Sequence, residues 1–289
     1  MNADTLAVLR NPPSGDAWDF GGFPYGLEPL ALPMPELGDE SDPEPVSRLD
    51  LCDRIRYPAA VEPADDADVL YWFRWITGHQ VSFAVWRLMA QALRRTGPES
   101  ATALARYVRG YCAMLLYTSS CPPELYHRLI RPSMRLQHRG FSGSWAPDFR
   151  PVRGLLRGRT GEVPGTAELT MAVRFYEEVH VGIAAKLVPD GRSLLRQAVA
   201  DRNTRDTRML GLLYDNYFMT IRGPVARADV VAQLMRRLVA VAQDIAANGL
   251  YPSPQRTVPE LATPVVAEFE RDVIRVIHLV ARTAAEPRG

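Results

Sequence analysis

A chain of 289 residues with 47% hydrophobic and 23% charged residues is long enough to bury a large core and has the composition of an ordinary globular protein. Its 34 basic and 33 acidic residues leave a net charge of +1, so it carries no global field for nucleic acid or an anionic membrane, and a small-molecule partner is expected. The three cysteines, Cys52, Cys112 and Cys121, form no CxxC pair, and an odd number cannot close a disulfide framework. With no basic-then-apolar leader and no run of roughly 18 apolar residues, a cytoplasmic protein with no membrane partner is expected. Lys186 is the single lysine, so each arginine needs its own argument.

Residues 1–64 are rich in Pro, Asp, Glu and Gly and show neither helical nor strand period, which predicts an extended N-terminal arm. Trp18, Phe20, Phe23 and Tyr25 are residues that a solvated tail rarely carries. The arm is therefore expected to pack on the body or on a neighbouring subunit, and a homodimer is one expectation. Residues 65–289 read as the helical catalytic domain. Asp65-Asp66 can cap a helix from about Val69 to Arg95, stopped by Gly97-Pro98. A second helix runs from about Ser100 to Tyr117, and Pro122-Pro123 begin a third that fades near His138. Between 139 and 165, nine glycines and prolines deny helix and long strand, leaving a long loop of the kind that is usually functional. Thr166 can cap the next helix, to about Val188. Further helices are predicted over Ser193–Ile221, Val225–Ala247 and Val258–Thr283. No alternating apolar run is long enough to seed a sheet, so the fold class is all-α, a helical bundle.

Bundles build cofactor sites from side chains on facing helices, so polar residues on apolar stripes are the candidates. His180 lies on the line Val173, Tyr176, His180, Ile183, Ala184, Leu187, which turns its imidazole towards the core. Ligating a haem iron through one ring nitrogen would satisfy it, and so would hydrogen bonds to backbone on both sides. His79 lies on the line Trp72, Trp75, Ile76, His79, Phe83, Trp86, where flat aromatics suit a flat ligand; ordinary core packing explains the same stripe. Gly78 removes a side chain where a planar group can approach. Arg131, Arg135 and Arg139 recur at helical spacing ahead of Phe141-Ser142-Gly143-Ser144-Trp145, and an arginine there with Ser142 can grip a carboxylate, or the arginines can form a solvated face. Tyr214 and Tyr217 share a helix face with Leu210, Leu213 and Ile221. No HExxH, GxSxG, GxGxxG or phosphate-loop pattern is present, which argues against zinc, acyl-transfer and nucleotide chemistry.

Trp75-Ile76-Thr77-Gly78-His79-Gln80 followed by Trp86 resembles the distal-histidine helix of tryptophan 2,3-dioxygenase. Phe141-Ser142-Gly143 resembles that family's Ser-Gly loop, and the helix carrying His180 matches in order the one supplying the axial haem ligand. Within that superfamily, Gly78-His79-Gln80, Phe141-Ser142-Gly143-Ser144-Trp145 and Glu177-Glu178-Val179-His180 are most similar to the haem-dependent L-tyrosine hydroxylases of natural-product pathways. The resemblance implies a bundle enclosing a haem with His180 as iron ligand, Trp75 and Phe83 against the cofactor, and His79 as catalytic acid and base. It implies L-tyrosine as substrate, its carboxylate held by Arg131 or Arg139 with Ser142, and Tyr214 or Tyr217 touching haem or substrate. The oxidant would be hydrogen peroxide or oxygen and the product L-DOPA. A related 3-methyltyrosine hydroxylase ties its haem to the cysteine of an HxxxC motif. Here that position is Ala184, so non-covalent haem b is expected. The alternatives are an indole or tryptophan oxygenase of the same superfamily, and a cofactor-free helical interaction protein.

Overall fold

The helix carrying the His79 stripe is Ala67–Leu93 (α2), and it is buried on nearly every side: 21 of its 27 residues are buried, not one face alone. A helix apolar all round belongs in the middle of a structure, with other helices against it on several sides. Asp66 caps it as its sequence suggests, accepting a hydrogen bond from the Asp68 amide at 2.7 Å. In the computed structural model, residues 25–35, 49–95, 97–159, 165–188, 207–253 and 258–286 are described. Besides α2 they form β1 (Leu30–Leu32), α1 (Leu49–Arg56), α3 (Pro98–Thr118), α4 (Arg131–Gln137), α5 (Phe149–Val152), α6 (Ala167–Leu187), α7 (Thr207–Tyr217), β2 (Thr220–Arg222), α8 (Arg227–Asn248), α9 (Pro264–Arg271) and α10 (Val273–Ala285). Among the described residues the fold is all-α apart from one short strand pair. Helix α3 packs between α2 and α6, and α8 covers another side of α2.

The close approach of α2 to α3 depends on Gly78. A Cβ there would stand 2.4 Å from Thr118 Cγ2 and 3.1 Å from the Tyr117 ring. The side chain missing at Gly78 makes room for a neighbouring helix, not for a planar ligand as its sequence position suggests. One turn earlier, Arg74 is fully buried. It reaches Asp244 of α8 through Nε at 2.8 Å, with the carbonyls of Gly249 and Leu250 taking further donors. Tyr117 donates to the same carboxylate at 2.6 Å, so one buried charge pair with all its oxygens occupied joins α2, α3 and α8.

The described part of the arm packs into the body. Leu30 and Leu32 are fully buried, β1 pairs in parallel with β2 in the register Leu30↔Thr220, and Gln233 of α8 bonds both the amide and the carbonyl of Ala31. Trp18, Phe20 and Phe23 lie outside the described residues. The polar-rich stretch before residue 64 is not wholly extended, because Leu49–Arg56 forms α1. Its Cys52 and Ile55, three apart, are buried, and α1 packs on α8 and α10.

Other boundaries also differ from expectation. The stretch starting at Pro122-Pro123 contains a π-helical turn, Tyr126–Ile130, before α4, where Pro132 has no amide to bond back along the helix. Of the predicted Ser193–Ile221 helix, the described part is α7 followed by β2, with Met219 at φ 54 making the break. The single final helix is two, divided at Asp272.

Candidate active site

Residues 139–159 hold no long element, but they are folded into short turns: Gly143–Trp145, then α5, then Leu155–Arg157. Ser142 caps the first turn, accepting from the Ser144 amide at 3.2 Å. Arg222 of β2 fastens this region, its guanidinium reaching Asp148 at 2.7 Å, Asp215 of α7 at 2.7 Å and the Pro33 carbonyl at 3.2 Å. The glycine- and proline-rich segment is thereby held against the bundle as one wall of a cavity.

That cavity measures about 510 Å³, within the usual range for a small-molecule site. His79, Ser82 and Trp86 enter from α2, Tyr111, Leu115 and Thr118 from α3, and Tyr176 and His180 from α6. The turns add Ser142, Gly143, Ser144, Phe149, Arg153, Leu156 and Arg157, and α7 adds Tyr214. Much of the wall is aromatic: Trp86 meets Tyr111 at 5.1 Å between ring centroids, and Tyr111 stacks on Tyr176 at 5.5 Å. Four sequence-predicted residues from separate parts of the chain, His79, Ser142, His180 and Tyr214, therefore share one cavity.

Both histidines are held neutral. Burial pushes His79 down to a pKa of about 4, opposed only by its hydrogen bond to the Trp75 carbonyl. A carbonyl only accepts, so Nδ1 carries the proton and Nε2 keeps its lone pair. Burial also lowers the pKa of His180. Its ring makes no hydrogen bond among the described residues and is reached by solvent through the cavity, so it opens on the site instead of packing in the core as the apolar line implied. A neutral imidazole with an unengaged nitrogen in an aromatic-walled cavity is a competent iron ligand, and a haem also brings two carboxylates for which guanidinium groups are natural partners. The residues present fit a haem.

Arg153 and Arg157 line the cavity, are solvent-exposed, and form no side-chain hydrogen bond or ion pair among the described residues. The predicted carboxylate arginines are elsewhere. Arg131 hydrogen-bonds the Tyr126 hydroxyl and Arg139 is exposed, and neither lines the cavity. The signal overlooked was a pair of arginines four apart inside the glycine-rich segment. Trp75 and Phe83 stand behind the wall: Trp75 lies 4.2 Å from the His79 ring, and Phe83 packs on Trp86 and Tyr214. Tyr217 is also outside the cavity, its hydroxyl shared with Ser133 at 2.7 Å.

Among the described residues no group of three or more His, Cys, Asp or Glu side chains converges as a metal site, and no helix is long and apolar enough to cross a membrane. No curated protein matches the chain. Residues 32–174, a span that contains His79, Trp86, Ser142, Arg153 and Arg157 and ends six residues before His180, match the family model described as SfmD 3-methyl-L-tyrosine peroxygenase.

Proposed function

We propose that this chain is a haem-dependent oxidoreductase that hydroxylates L-tyrosine at the ring 3-position to L-DOPA, in a natural-product pathway. The observation that carries the reading is one aromatic-walled cavity onto which two neutral imidazoles, His79 and His180, both open. The family match to a tyrosine-type peroxygenase supports the substrate class and favours hydrogen peroxide as oxidant. The balanced reaction is tyrosine plus hydrogen peroxide giving the catechol plus water.

His180 would hold the iron of a bound haem through a ring nitrogen. Bound haem supplies the oxidising power that no side chain of this chain has. His79, with its Nδ1 proton committed to Trp75, uses Nε2 to take a proton from peroxide or from the substrate phenol and then returns it. The exposed Arg153 and Arg157, with Ser142 also in the cavity wall, bind carboxylates, those of the amino acid and of the haem. Trp86, Tyr111, Phe149 and Tyr176 exclude water and face the ring being oxidised.

The test is a product assay on purified protein with L-tyrosine, 3-methyl-L-tyrosine and L-tryptophan, each with peroxide and with oxygen plus a reductant. A Soret band and a catechol product are expected. Protein without a Soret band, or oxidation confined to the indole, overturns the reading.

A further inference from the structure

The glutamine that follows His79 points away from the cavity and is not part of its lining. Gln80 is fully buried, and its amide makes three hydrogen bonds. Nε2 donates to the Phe218 carbonyl at 2.9 Å and to the Glu28 carbonyl at 3.0 Å, while Oε1 accepts from Arg237 Nε at 2.9 Å. Phe218 in turn lies flat on His79: the ring centroids are 4.4 Å apart and the planes 17° from parallel. The backbone at that point is unusual, since the next residue, Met219, is a non-glycine at φ 54. Such a conformation persists only where the surroundings over-determine it. Here the Gln80 amide holds the Phe218 carbonyl, and the Leu30 amide of β1 donates to the Met219 carbonyl at 3.0 Å.

We infer that Gln80 is a positioning residue for His79, acting through Phe218: it pins the backbone that carries the aromatic plate on which the His79 ring rests. The Trp75 carbonyl fixes one edge of the imidazole and the Phe218 ring fixes its face, which together leave Nε2 a single direction. The same glutamine ties this plate to the arm through the Glu28 carbonyl. The inference rests on the reading of His79 as the acid–base group.

The experiment compares Gln80→Met, which keeps the length of the side chain and removes its amide, with Phe218→Leu, which removes the plate and leaves the amide network. Gln233→Met is the control, since Gln233 bonds Ala31 and not Phe218. The full-length chain is labelled with ¹⁵N-histidine and the His79 resonances are identified by their loss in His79→Gln. Wild type should show a single Nδ1–H tautomer at neutral pH. Gln80→Met and Phe218→Leu should each populate the other tautomer and lower kcat by about 10- to 100-fold with KM for tyrosine little changed. Their combination should be no slower than the worse single variant. Gln233→Met should lower the melting temperature and leave the tautomer alone. If Gln80→Met does not fold, Phe218→Leu decides; an unchanged His79 tautomer in Phe218→Leu, or in a folded Gln80→Met, overturns the inference. A wild type that binds no haem would overturn the acid–base reading, yet the tautomer comparison would still test the positioning.

Discussion

His79 and Trp75 are joined one helical turn apart, with the imidazole Nδ1 2.6 Å from the Trp75 carbonyl oxygen. In the ring orientation that Phe218 supports, the bond selects the Nδ1–H tautomer, and burial keeps the ring uncharged down to a pKa of about 4. A general base at Nε2 is therefore ready throughout neutral pH. Activity that depends on it should stay level there and fall only as pH drops towards 4. His79→Ala should keep haem and lose about 10²- to 10⁴-fold in kcat, read from steady-state rates beside the haem spectrum.

Stability should follow the same group. Its folded pKa of about 4 lies below the free-imidazole value of 6.5, so between those values the unfolded chain binds more protons than the native one. The contribution is fully present above pH 6.5 and is lost as pH falls to about 4. Urea unfolding across that window should show a slope in stability that is shallower in His79→Gln. An unchanged slope would mean that His79 titrates normally in the folded protein.

If the ring on α6 is the iron ligand, as proposed, His180→Ala should abolish haem retention while the aromatic wall remains. Haem content per polypeptide, measured after gel filtration, checks this. Full retention with an unaltered spectrum would shift the assignment to His79.

Haem should be released by acidified organic solvent, with a b-type pyridine haemochrome. Ala184 stands one turn after His180 and has no sulfur. Cys52, Cys112 and Cys121 are buried and none lines the cavity, and burial raises Cys121 to a pKa of about 12. Haem that stays with the denatured polypeptide would contradict this.

Arg153→Ala or Arg157→Ala should raise KM for tyrosine by about 10- to 100-fold, the loss of one charge-assisted hydrogen bond, or lower haem affinity if that arginine serves the cofactor. Arg139→Ala, exposed and away from the cavity, should do neither. Titrating haem and substrate separately distinguishes the two roles. The arginine assignment fails if Arg139→Ala has the larger effect.

Gly78→Ala should destabilise the fold by about 1–3 kcal/mol, because its methyl group would meet Thr118 Cγ2 of α3 at 2.4 Å. Thr118→Ser, which removes that methyl, should restore part of the loss in the double variant. Thermal unfolding of the four proteins measures it; independence of the two substitutions would show that α2 and α3 separate freely.

The helical class, the caps at Asp66 and Thr166, and the two histidines on aromatic and apolar stripes were legible in the sequence, because capping chemistry and helical period are local properties. So was the lack of any long helix or strand over 139–159, since the glycines and prolines there interrupt both. Helix α1 was hidden because its apolar pair, Cys52 and Ile55, is too short a signal in polar-rich surroundings, and its burial depends on α8 and α10. Tertiary structure alone decided which side chains meet. It turned Gly78 towards α3 and brought Arg153 and Arg157 to the cavity. It also placed Phe218 on His79, 139 residues away along the chain. Those pairings depend on how helices far apart in sequence approach one another. Helical spacing specifies the face that a residue occupies on its own helix, and carries no information about what another helix lays against it.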